Sequence, residues 1–361
     1  MTDRLTLSLP VGALERLEAT VRAAGVRGAW RVARRSLDAR RGRDPRWVLA
    51  LDIAEPGEEL PAFTRAPSPR EPRRRSPPVL VAGAGPAGLF AATALAEAGV
   101  PVEVLDRGEG FPARHFQARD LRLHGVFNPE SNLRFGLGGA GTYSDGKLFT
   151  RKRGPRVEEV LARLAWLAGD EDLVVEAHPH VGTNRLIPLL ERLRRALEDA
   201  GVRFRFGVRA EGLLLREGRV CGLRTTAGDL EAAAVILAPG NAARDTFAWL
   251  HRAGVALVSR PFAVGVRVEH PRALIDAIQY GAFAGHPELG AAEYRLAFPA
   301  GERGVFSFCM CPGGHVLPVP AEPGGLAVNG ASHAARGSPF SNAALVVTTG
   351  PGDWGGGDDP L

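Results

Sequence analysis

The sequence has 361 residues, of which 45% are hydrophobic and 24% charged, so it is long enough for two domains with their own cores. Three cysteines exclude a disulfide-stapled secreted scaffold, and the first ten residues, MTDRLTLSLP, lack the apolar segment of a signal peptide. We therefore expect a globular cytoplasmic protein. The net charge of +5 is concentrated near the start, because residues 1–78 hold 16 arginines and 10 acidic residues, a net of +6.

Residues 1–66 are predicted to form a small α+β unit. Apolar residues alternate in LTLSL (5–9) and WVLALDI (47–53), which indicates strands, and a helical apolar face lies between them. The basic stretch RVARRSLDARR (31–41) has two interpretations: a docking surface for an acidic partner or RNA, or a solvated strand edge protected by charge. We favour the strand edge, so nucleic acid is not an expected partner. A Pro/Arg-rich linker, residues 67–78, is expected to be exposed and to separate this unit from the rest.

The next stretch spells strand, turn, helix and strand. VLVA (79–82) is typical of a buried parallel strand, and glycines at 83, 85 and 88 permit a tight turn, close approach of a pyrophosphate and close helix packing. The helix predicted over 86–98 directs free N–H groups at the same site. After the strand at 102–105, Asp106 is predicted to accept both hydroxyls of an adenosine ribose. The predicted dinucleotide contacts are Gly83, Gly85, Pro86, Ala87, Gly88, Asp106 and Arg107.

Two other interpretations of these glycines fail. The same GxGxxG pattern occurs at 136–141 and 350–355, but neither copy follows a strand and opens a helix. Residues 77–96 carry no charge, as in a membrane span, yet glycines and prolines interrupt them. No membrane span is expected.

About forty residues without a long periodic segment follow Arg107, and long irregular stretches in compact domains are usually functional. Their centre is GLGGAGTYSDGK (136–147), whose glycines allow close approach to a ligand and whose last residues supply polar groups. The predicted cofactor contacts here are Gly138, Gly139, Ala140, Gly141, Ser144 and Asp145, with Lys147 as a catalytic candidate.

Periodicity predicts helices near 157–164 and 186–197, with His178 and His180 between them. This histidine pair lacks further ligands at a familiar spacing, so we expect no metal site. A strand at 202–208, a hairpin that turns at 217–218 and a buried strand at 234–238 complete a unit that spans 79–254. The last strand should end beside the cofactor, which makes Gly240 a further cofactor contact.

Residues 255–348 are predicted to form a strand-rich substrate unit, followed by a Gly-rich tail at 349–361. His270 is the second catalytic candidate. Cys309 and Cys311 are too close for a relaxed C-x-x-C redox motif, so we interpret them as structural. The other candidates for chemistry in this unit are Arg267, Glu269, Tyr280 and His315.

Several segments resemble, in order, the uncharacterised bacterial FAD-dependent dehydrogenases, a branch of the glutathione-reductase-like flavoproteins. They are GAGPAGL with LDRG, SNLRFGLGGAGTYSDGKL, PHVGT, LAPGNAARDTF, PFAVGVRVEHP, QYGAF, FCMCPGG and NGASHAAR. The resemblance implies a Rossmann-like α/β FAD-binding domain with an inserted strand-rich substrate domain and FAD as cofactor. It further implies that Gly83, Gly85 and Gly88 hold the pyrophosphate, Asp106 the ribose, and the 138–147 loop the flavin side.

This chain departs from the family pattern at Asn241 and Ala242. It also lacks the cysteine pair that disulfide reductases carry after the first helix and a second strand–GxGxxG–helix unit for NAD(P)H, so a disulfide reductase is not expected. The family continues beyond residue 361, and we expect this chain to be either a fragment or the product of a truncated gene that lacks the segment at the pyrimidine end of the flavin.

These observations predict an FAD-dependent oxidoreductase, a dehydrogenase that transfers a hydride between a small-molecule substrate and the flavin. Lys147 would stabilise negative charge on the reduced flavin, and NAD(P)H or another electron donor is a candidate partner. One alternative is an NAD-dependent dehydrogenase that uses the single GxGxxG site. Another is a nucleotide-binding module that acts on RNA or a protein through the basic N-terminal unit.

Overall fold

A computed structural model describes residues 3–40, 42–70, 77–150, 152, 154–301 and 303–353. The N-terminal unit is a three-stranded antiparallel sheet with one helix, as predicted. Its elements are β1 (Asp3–Pro10), a 3-10 turn (Leu14–Arg16), α1 (Leu17–Ala23), β2 (Trp30–Asp38) and β3 (Arg46–Ile53). The sheet order is β1–β3–β2, so the basic strand β2 lies at an edge. The apolar side of the alternation packs into one core around Leu9, Val21, Leu49 and Leu51.

The second unit begins with the predicted strand, turn, helix and strand. Its elements are β4 (Val79–Ala82), α2 (Pro86–Glu97), β5 (Val102–Asp106), α3 (Ala113–His124), a 3-10 turn (Gly139–Gly141), α4 (Pro155–Ala168), α5 (Asp172–Val175), α6 (Thr183–Asp199), β6 (Arg203–Phe206), β7 (Ala210–Arg216), β8 (Arg219–Thr225), β9 (Gly228–Glu231), β10 (Ala234–Leu237) and α7 (Arg244–Arg252). The parallel sheet has the order β10–β4–β5–β6, and β7, β8 and β9 form an antiparallel meander. The protein is thus a mixed α/β fold with a parallel sheet. One sheet face packs against the helices and the other against the meander.

Two predictions for this unit were wrong. Helix α3 occupies part of the stretch in which no long periodic segment was expected, because its buried face begins with a charged residue, Arg114, followed by only Ala118 and Leu121. Strand β10 was expected to be buried, but Ala234 is exposed and the rest of the strand half-buried. The reason is that β10 lies at the edge of the sheet.

The third unit is strand-rich, as predicted, although its helix α8 and its strand β16 were not predicted. Its elements are β11 (Phe262–Pro271), α8 (Arg272–Tyr280), a 3-10 turn (Gly281–Phe283), β12 (Ala297–Ala300), β13 (Arg303–Cys311), β14 (His315–Pro318), β15 (Val328–Ala331), β16 (Phe340–Thr349) and a 3-10 turn (Pro351–Asp353). The main antiparallel sheet has the order β11–β16–β13–β12, and β14 pairs with β15. Every described strand of the parallel sheet precedes this unit, so its insertion into the FAD-binding domain stays a prediction. The end of the Gly-rich tail, 354–361, lies outside the described residues.

The N-terminal unit is docked on the second unit, which corrects the expected separation. Arg35 on β2 donates from Nε to Glu176 at 2.7 Å and from Nη2 to Asp172 at 2.9 Å. The N–H of Ala177 donates to the Arg35 carbonyl at 2.9 Å, so residues 176–177 continue the sheet edge. The basic stretch therefore binds acidic residues of its own chain.

The end of the N-terminal unit and the described part of the linker lie on the surface of the second unit. The N–H groups of Arg65 and Arg70 donate to the carbonyls of Ala162 and Ala96 at 3.2 and 3.0 Å. Ser68 N–H donates to Glu97 at 2.9 Å. Linker residues 71–76 lie outside the described residues. None of the described helices is long and apolar enough to cross a membrane.

Candidate functional site

The glycine turn between β4 and α2 has the geometry that its sequence predicts. Gly83 has φ +118°, and a Cβ there would overlap the carbonyl oxygen of Ala238, which follows β10. A Cβ at Gly88 would overlap the carbonyl oxygen of Gly83. Only glycine fits at either position. The N–H of Ala238 bonds to Ala82 O at 2.8 Å, which places the end of β10 beside this turn, as predicted.

The start of α2 is open to a ligand. Pro86 and Ala87 are exposed, and the first N–H that bonds back along the helix is that of Leu89, to Gly85 O at 2.9 Å. The earlier N–H groups of the helix have no hydrogen-bond acceptor among the described residues and can bind an anion, and the helix dipole adds to their attraction. This arrangement fits the diphosphate of a dinucleotide.

The 136–147 loop closes over the turn from the other side. Gly138 N–H donates to Ala84 O at 2.8 Å, and a Cβ at Gly139 would lie 3.0 Å from the Gly85 Cα. Beyond this contact Ala140 and Gly141 are exposed. The predicted contacts of the turn and of the loop are therefore brought together around one open face.

Asp106 joins three loops at the end of β5. Its buried carboxylate accepts the N–H of Ala84 on Oδ2 at 2.7 Å, and those of Gly108 and Gly136 on Oδ1, both at 2.8 Å. Burial raises the pKa of Asp106, and these hydrogen bonds oppose that shift. A carboxylate offers about four acceptor positions, so one remains, on Oδ2. This leaves room for one ribose hydroxyl rather than the predicted two.

Arg114 holds the loop, a role that the sequence pattern did not predict. The guanidinium is fully buried and donates to carbonyl oxygens of Asn132 at 3.0 Å and Gly139 at 2.8 Å, to that of Leu137, and to Thr142 Oγ1 at 3.1 Å. Burial lowers its pKa to about 10, so it stays charged at neutral pH. The signal available in the sequence was its position four residues before Ala118 on one helix face.

The remaining predicted cofactor contacts lie around this centre. Arg107 lies over the Phe135 ring at 4.7 Å and pairs with Glu130 at 3.1 Å. It shares a small cavity with Gly83 and Asp106 at the carboxyl edge of the sheet. Gly240 has φ +77° in the turn after β10. Ser144 donates from Oγ to Gly141 O at 2.6 Å and so turns the loop.

Asp145 is the centre of a buried charged cluster. Its Oδ2 accepts Lys147 Nζ at 2.5 Å and Arg336 Nη2 at 2.9 Å, and its Oδ1 accepts the Ser332 hydroxyl. Burial raises the pKa of Asp145, but the charges of Arg336 and Lys147 outweigh burial and the net pKa is lowered. His180 Nε2 lies 3.5 Å from Oδ1. We call these five residues the Asp145 cluster.

His180 is neutral at pH 7, because burial and then the Arg336 charge lower its pKa to about 4. Its Nε2 lies 3.2 Å from Ser332 Oγ. His178 contacts Phe149 and Arg295 instead. Within the described ranges, no group of three or more His, Cys, Asp or Glu residues is arranged to hold a metal ion.

Lys147 borders two cavities. A mainly apolar cavity of about 440 Å³ is lined by Lys147, by Pro86 and by Gly138 and Gly141 beside the glycine turn. A second cavity of about 600 Å³ in the strand-rich unit is lined by Lys147 and Cys309. Lys147 Nζ also donates to Met310 O. The side chain thus connects the cofactor side to the strand-rich unit.

His270, the other catalytic candidate, is not part of the Asp145 cluster. Its ring lies 5.5 Å from that of Tyr294, which lines the 600 Å³ cavity. Burial lowers the His270 pKa, and its Nε2 has no hydrogen-bond partner among the described residues. Its catalytic role stays a prediction.

Among the other candidates, Arg267 donates to Asn342 Oδ1 at 2.5 Å. Tyr280 lines a cavity of about 780 Å³, which is also lined by Arg35, Leu37 and Trp47 of the N-terminal unit. His315 lines a separate cavity of about 220 Å³. Glu269 is exposed.

Comparison with known proteins decides the cofactor. Residues 76–121 match the family described as "FAD binding domain", and residues 261–361 match "FAD-dependent protein, C-terminal domain-like". FAD is the cofactor of this protein. The open glycine turn, the free N–H groups of α2 and the remaining acceptor position of Asp106 fit its diphosphate and ribose.

The flavoprotein is also similar to an uncharacterized protein of Clostridium beijerinckii, with 39% identity over 279 residues. The match covers 77% of this chain and 52% of the relative, so the chain spans about half the length of that protein.

Two solved structures are similar at lower identity. NikD, an amino acid oxidase essential for nikkomycin biosynthesis, has 13% identity and a TM-score of 0.37, over 75% of this chain and 70% of NikD. FqzB has 16% identity and a TM-score of 0.38, over 79% of this chain and 56% of FqzB. At these TM-scores the likeness carries no further conclusion.

Proposed function

We propose that this flavoprotein is a dehydrogenase that transfers a hydride between FAD and a small organic substrate held in the strand-rich unit. The observation that carries the proposal is the position of Lys147, which borders both the cavity beside the glycine turn and the 600 Å³ cavity of the strand-rich unit. FAD, when bound, supplies the two-electron chemistry, and the protein supplies position and charge.

Different residues of the site would hold different parts of the cofactor. The turn with Gly83, Gly85 and Gly88, and the N-terminus of α2, would hold the diphosphate, while Asp106 would accept one ribose hydroxyl. Arg114 fixes the loop that closes this site. The meander between β6 and β10 supports the finer proposal that the chain belongs to the glutathione-reductase-like branch.

The substrate side is formed by two adjoining cavities. The cavities of about 600 and 780 Å³ share the side chains of His178, Glu293, Tyr294, Arg295 and Arg336. Both signs of charge are present on these walls, so we expect a polar substrate. Residues of the N-terminal unit line the larger cavity. In this proposal the N-terminal unit is therefore part of the substrate site rather than an RNA-binding module.

Lys147 would stabilise the negative charge that a flavin acquires on reduction. Its ammonium is already paired with Asp145, so its effect on the flavin would be that of a partly neutralised charge. Lys152, the only other lysine, is exposed and serves as the matched control.

The test is to purify the protein, record its visible spectrum, identify the released cofactor and measure the flavin reduction potential of wild type, Lys147→Met and Lys152→Met. We expect all three proteins to contain bound FAD. We expect the flavin reduction potential to be lower in Lys147→Met than in wild type and unchanged in Lys152→Met. An unchanged potential in Lys147→Met would remove Lys147 from the proposed role. A colourless protein that releases NAD would overturn the proposal.

Anaerobic mixing of the oxidised protein with NADH or NADPH tests the donor. Bleaching of the flavin by one of them would support a nicotinamide donor. Slow reoxidation of the reduced flavin in air would support a dehydrogenase, whereas rapid reoxidation with release of hydrogen peroxide would identify an oxidase.

A further inference from the structure

Cys309 and Cys311 lie at an irregularity of β13 that a regular strand would not show. Phe308 pairs with Ala344 and Cys311 with Asn342, so three steps along β13 match two along β16, as in a β-bulge. Cys309 has φ +46°, a conformation that non-glycine residues seldom adopt. Such backbone outliers cluster at functional sites.

The two cysteines interact, and their thiols are chemically unequal. The Cys311 thiol donates to the Cys309 carbonyl oxygen at 3.4 Å, and the interaction between the two side chains lowers the pKa of Cys309 and raises that of Cys311. Burial opposes ionisation of both thiols, while the charges of Lys147 and Arg267 favour the Cys309 thiolate. Lys147 Nζ lies 3.9 Å from Cys311 Sγ, and Arg267 Nη1 donates to Cys309 O at 3.2 Å.

The thiols also differ in access. Cys309 is half-buried and lines the 600 Å³ cavity. Cys311 is fully buried and its Sγ lies 3.4 Å from Cys309 O. A cavity-facing thiol with a lowered pKa, two residues from a buried thiol on the same strand, is the arrangement of an attacking and a resolving cysteine.

We propose that Cys309 and Cys311 form a redox-active dithiol that exchanges with a small-molecule disulfide in this cavity. The Cys309 thiolate attacks one sulfur of the disulfide, which forms a mixed disulfide and releases the first thiolate. Cys311 then loses its proton and attacks Cys309 Sγ, which expels the second thiolate and leaves a Cys309–Cys311 disulfide. The small disulfide gains two electrons and two protons, and the protein dithiol loses them.

This inference goes beyond the proposed function and does not require FAD. It replaces the interpretation of the pair as inert strand thiols, because the bulge and the two cations give Cys309 an environment that a regular buried strand lacks. A cavity of about 600 Å³ has the size of a small-molecule site, so we expect the substrate to be a small disulfide.

The experiment uses the whole chain with Cys221→Ser, so that the pair contains its only thiols, and bis(2-hydroxyethyl) disulfide as the probe. We expect the intact mass to fall by two hydrogens, with Cys309 and Cys311 joined. With Cys311→Ser added we expect a stable mixed disulfide at Cys309, and with Cys309→Ser added no adduct. Cys311→Ala is the second variant, in case serine disturbs the buried site.

A second measurement does not depend on any cysteine variant of the pair. At pH 6, alkylation of Cys309 by iodoacetamide should be about tenfold faster than that of N-acetylcysteine, because a larger thiolate fraction outweighs the lower intrinsic nucleophilicity. Free thiols after treatment with the probe, or alkylation no faster than that of N-acetylcysteine, would overturn the proposal. The flavin absorbance of the same samples reports FAD binding separately, so failure of either proposal is distinguishable.

Discussion

The carboxylate of Asp145 and the guanidinium of Arg336 are 191 residues apart in the sequence, yet Oδ2 and Nη2 are 2.9 Å apart in the structure. Asp145 belongs to the loop that closes over the glycine turn, and Arg336 lies between β15 and β16. The same guanidinium donates from Nη1 to Glu293 at 2.9 Å. This ion pair joins the FAD-binding unit to the strand-rich unit at the position of Lys147.

We predict that Asp145→Asn destabilises the protein by about 3 kcal/mol, because it leaves Lys147 without its anion and Arg336 with Glu293 alone. Urea unfolding of wild type and variant measures the difference. Asp229→Asn, at an exposed position on β9, is the control and should change little. Equal losses in the two variants would mean that the Asp145 cluster contributes no special stability.

We predict that the free energy of unfolding falls as the pH is lowered from about 6.5, the ordinary pKa of a histidine, to about 4, the pKa of His180 in the folded protein. The folded protein favours the neutral ring, so the unfolded chain binds more protons in this window and stability is lost with acid. At about 1.4 kcal/mol per pKa unit, the loss reaches about 3 kcal/mol.

His180→Gln should reduce this slope, and the part that remains comes from His178 and His270, whose pKa values burial also lowers. His251→Gln, at an exposed position on α7, should retain the full slope. Urea unfolding at several pH values between 4 and 7 measures both. The Asp145 pKa is also lowered, so its contribution is lost only at lower pH, as the carboxylate is protonated. A slope in His180→Gln equal to that of the wild type would contradict the prediction.

We predict that Arg114→Met lowers both stability, by about 3 kcal/mol, and the amount of FAD bound per chain. The variant leaves buried carbonyl oxygens of Asn132 and Gly139 without a donor, and the loop over the glycine turn loses its support. Flavin absorbance per chain and thermal melting measure the two effects. Arg122→Met, exposed on the same helix, should leave both unchanged. Full FAD occupancy in Arg114→Met would show that the loop needs no such support.

We predict that Arg35→Ala loosens the N-terminal unit, because it removes the donors to Glu176 and Asp172. Limited proteolysis within the linker should become several-fold faster, while FAD binding is retained because no predicted cofactor contact lies in this unit. Arg34→Ala, the exposed neighbour, is the control. If both variants are cut at the wild-type rate, the contact between the units does not depend on Arg35.

The sequence by itself determined the strand, turn, helix and strand of residues 79–106, because the reasons for them are local. Glycine is required where φ is positive or a Cβ would meet backbone, and an apolar run of four residues between prolines suits only a buried strand. The same holds for the alternating strands of the N-terminal unit and for the hairpin that turns at 217–218. FAD followed from these segments by resemblance, and the family comparisons confirmed it.

The tertiary structure alone decided which charged groups meet. Arg114 gave no apolar signal on its helix, and nothing near Asp145 in the sequence identifies Arg336 or Ser332 as its partners. Likewise, the sequence shows Cys309 and Cys311 as two strand residues, whereas the bulge opposite β16 and the side chain of Lys147 give them their environment. Burial strengthens a charge interaction or a hydrogen bond, and burial depends on elements more than a hundred residues apart. The periodicity of a sequence reflects only neighbouring residues, so it does not reveal contacts between elements so far apart in the sequence.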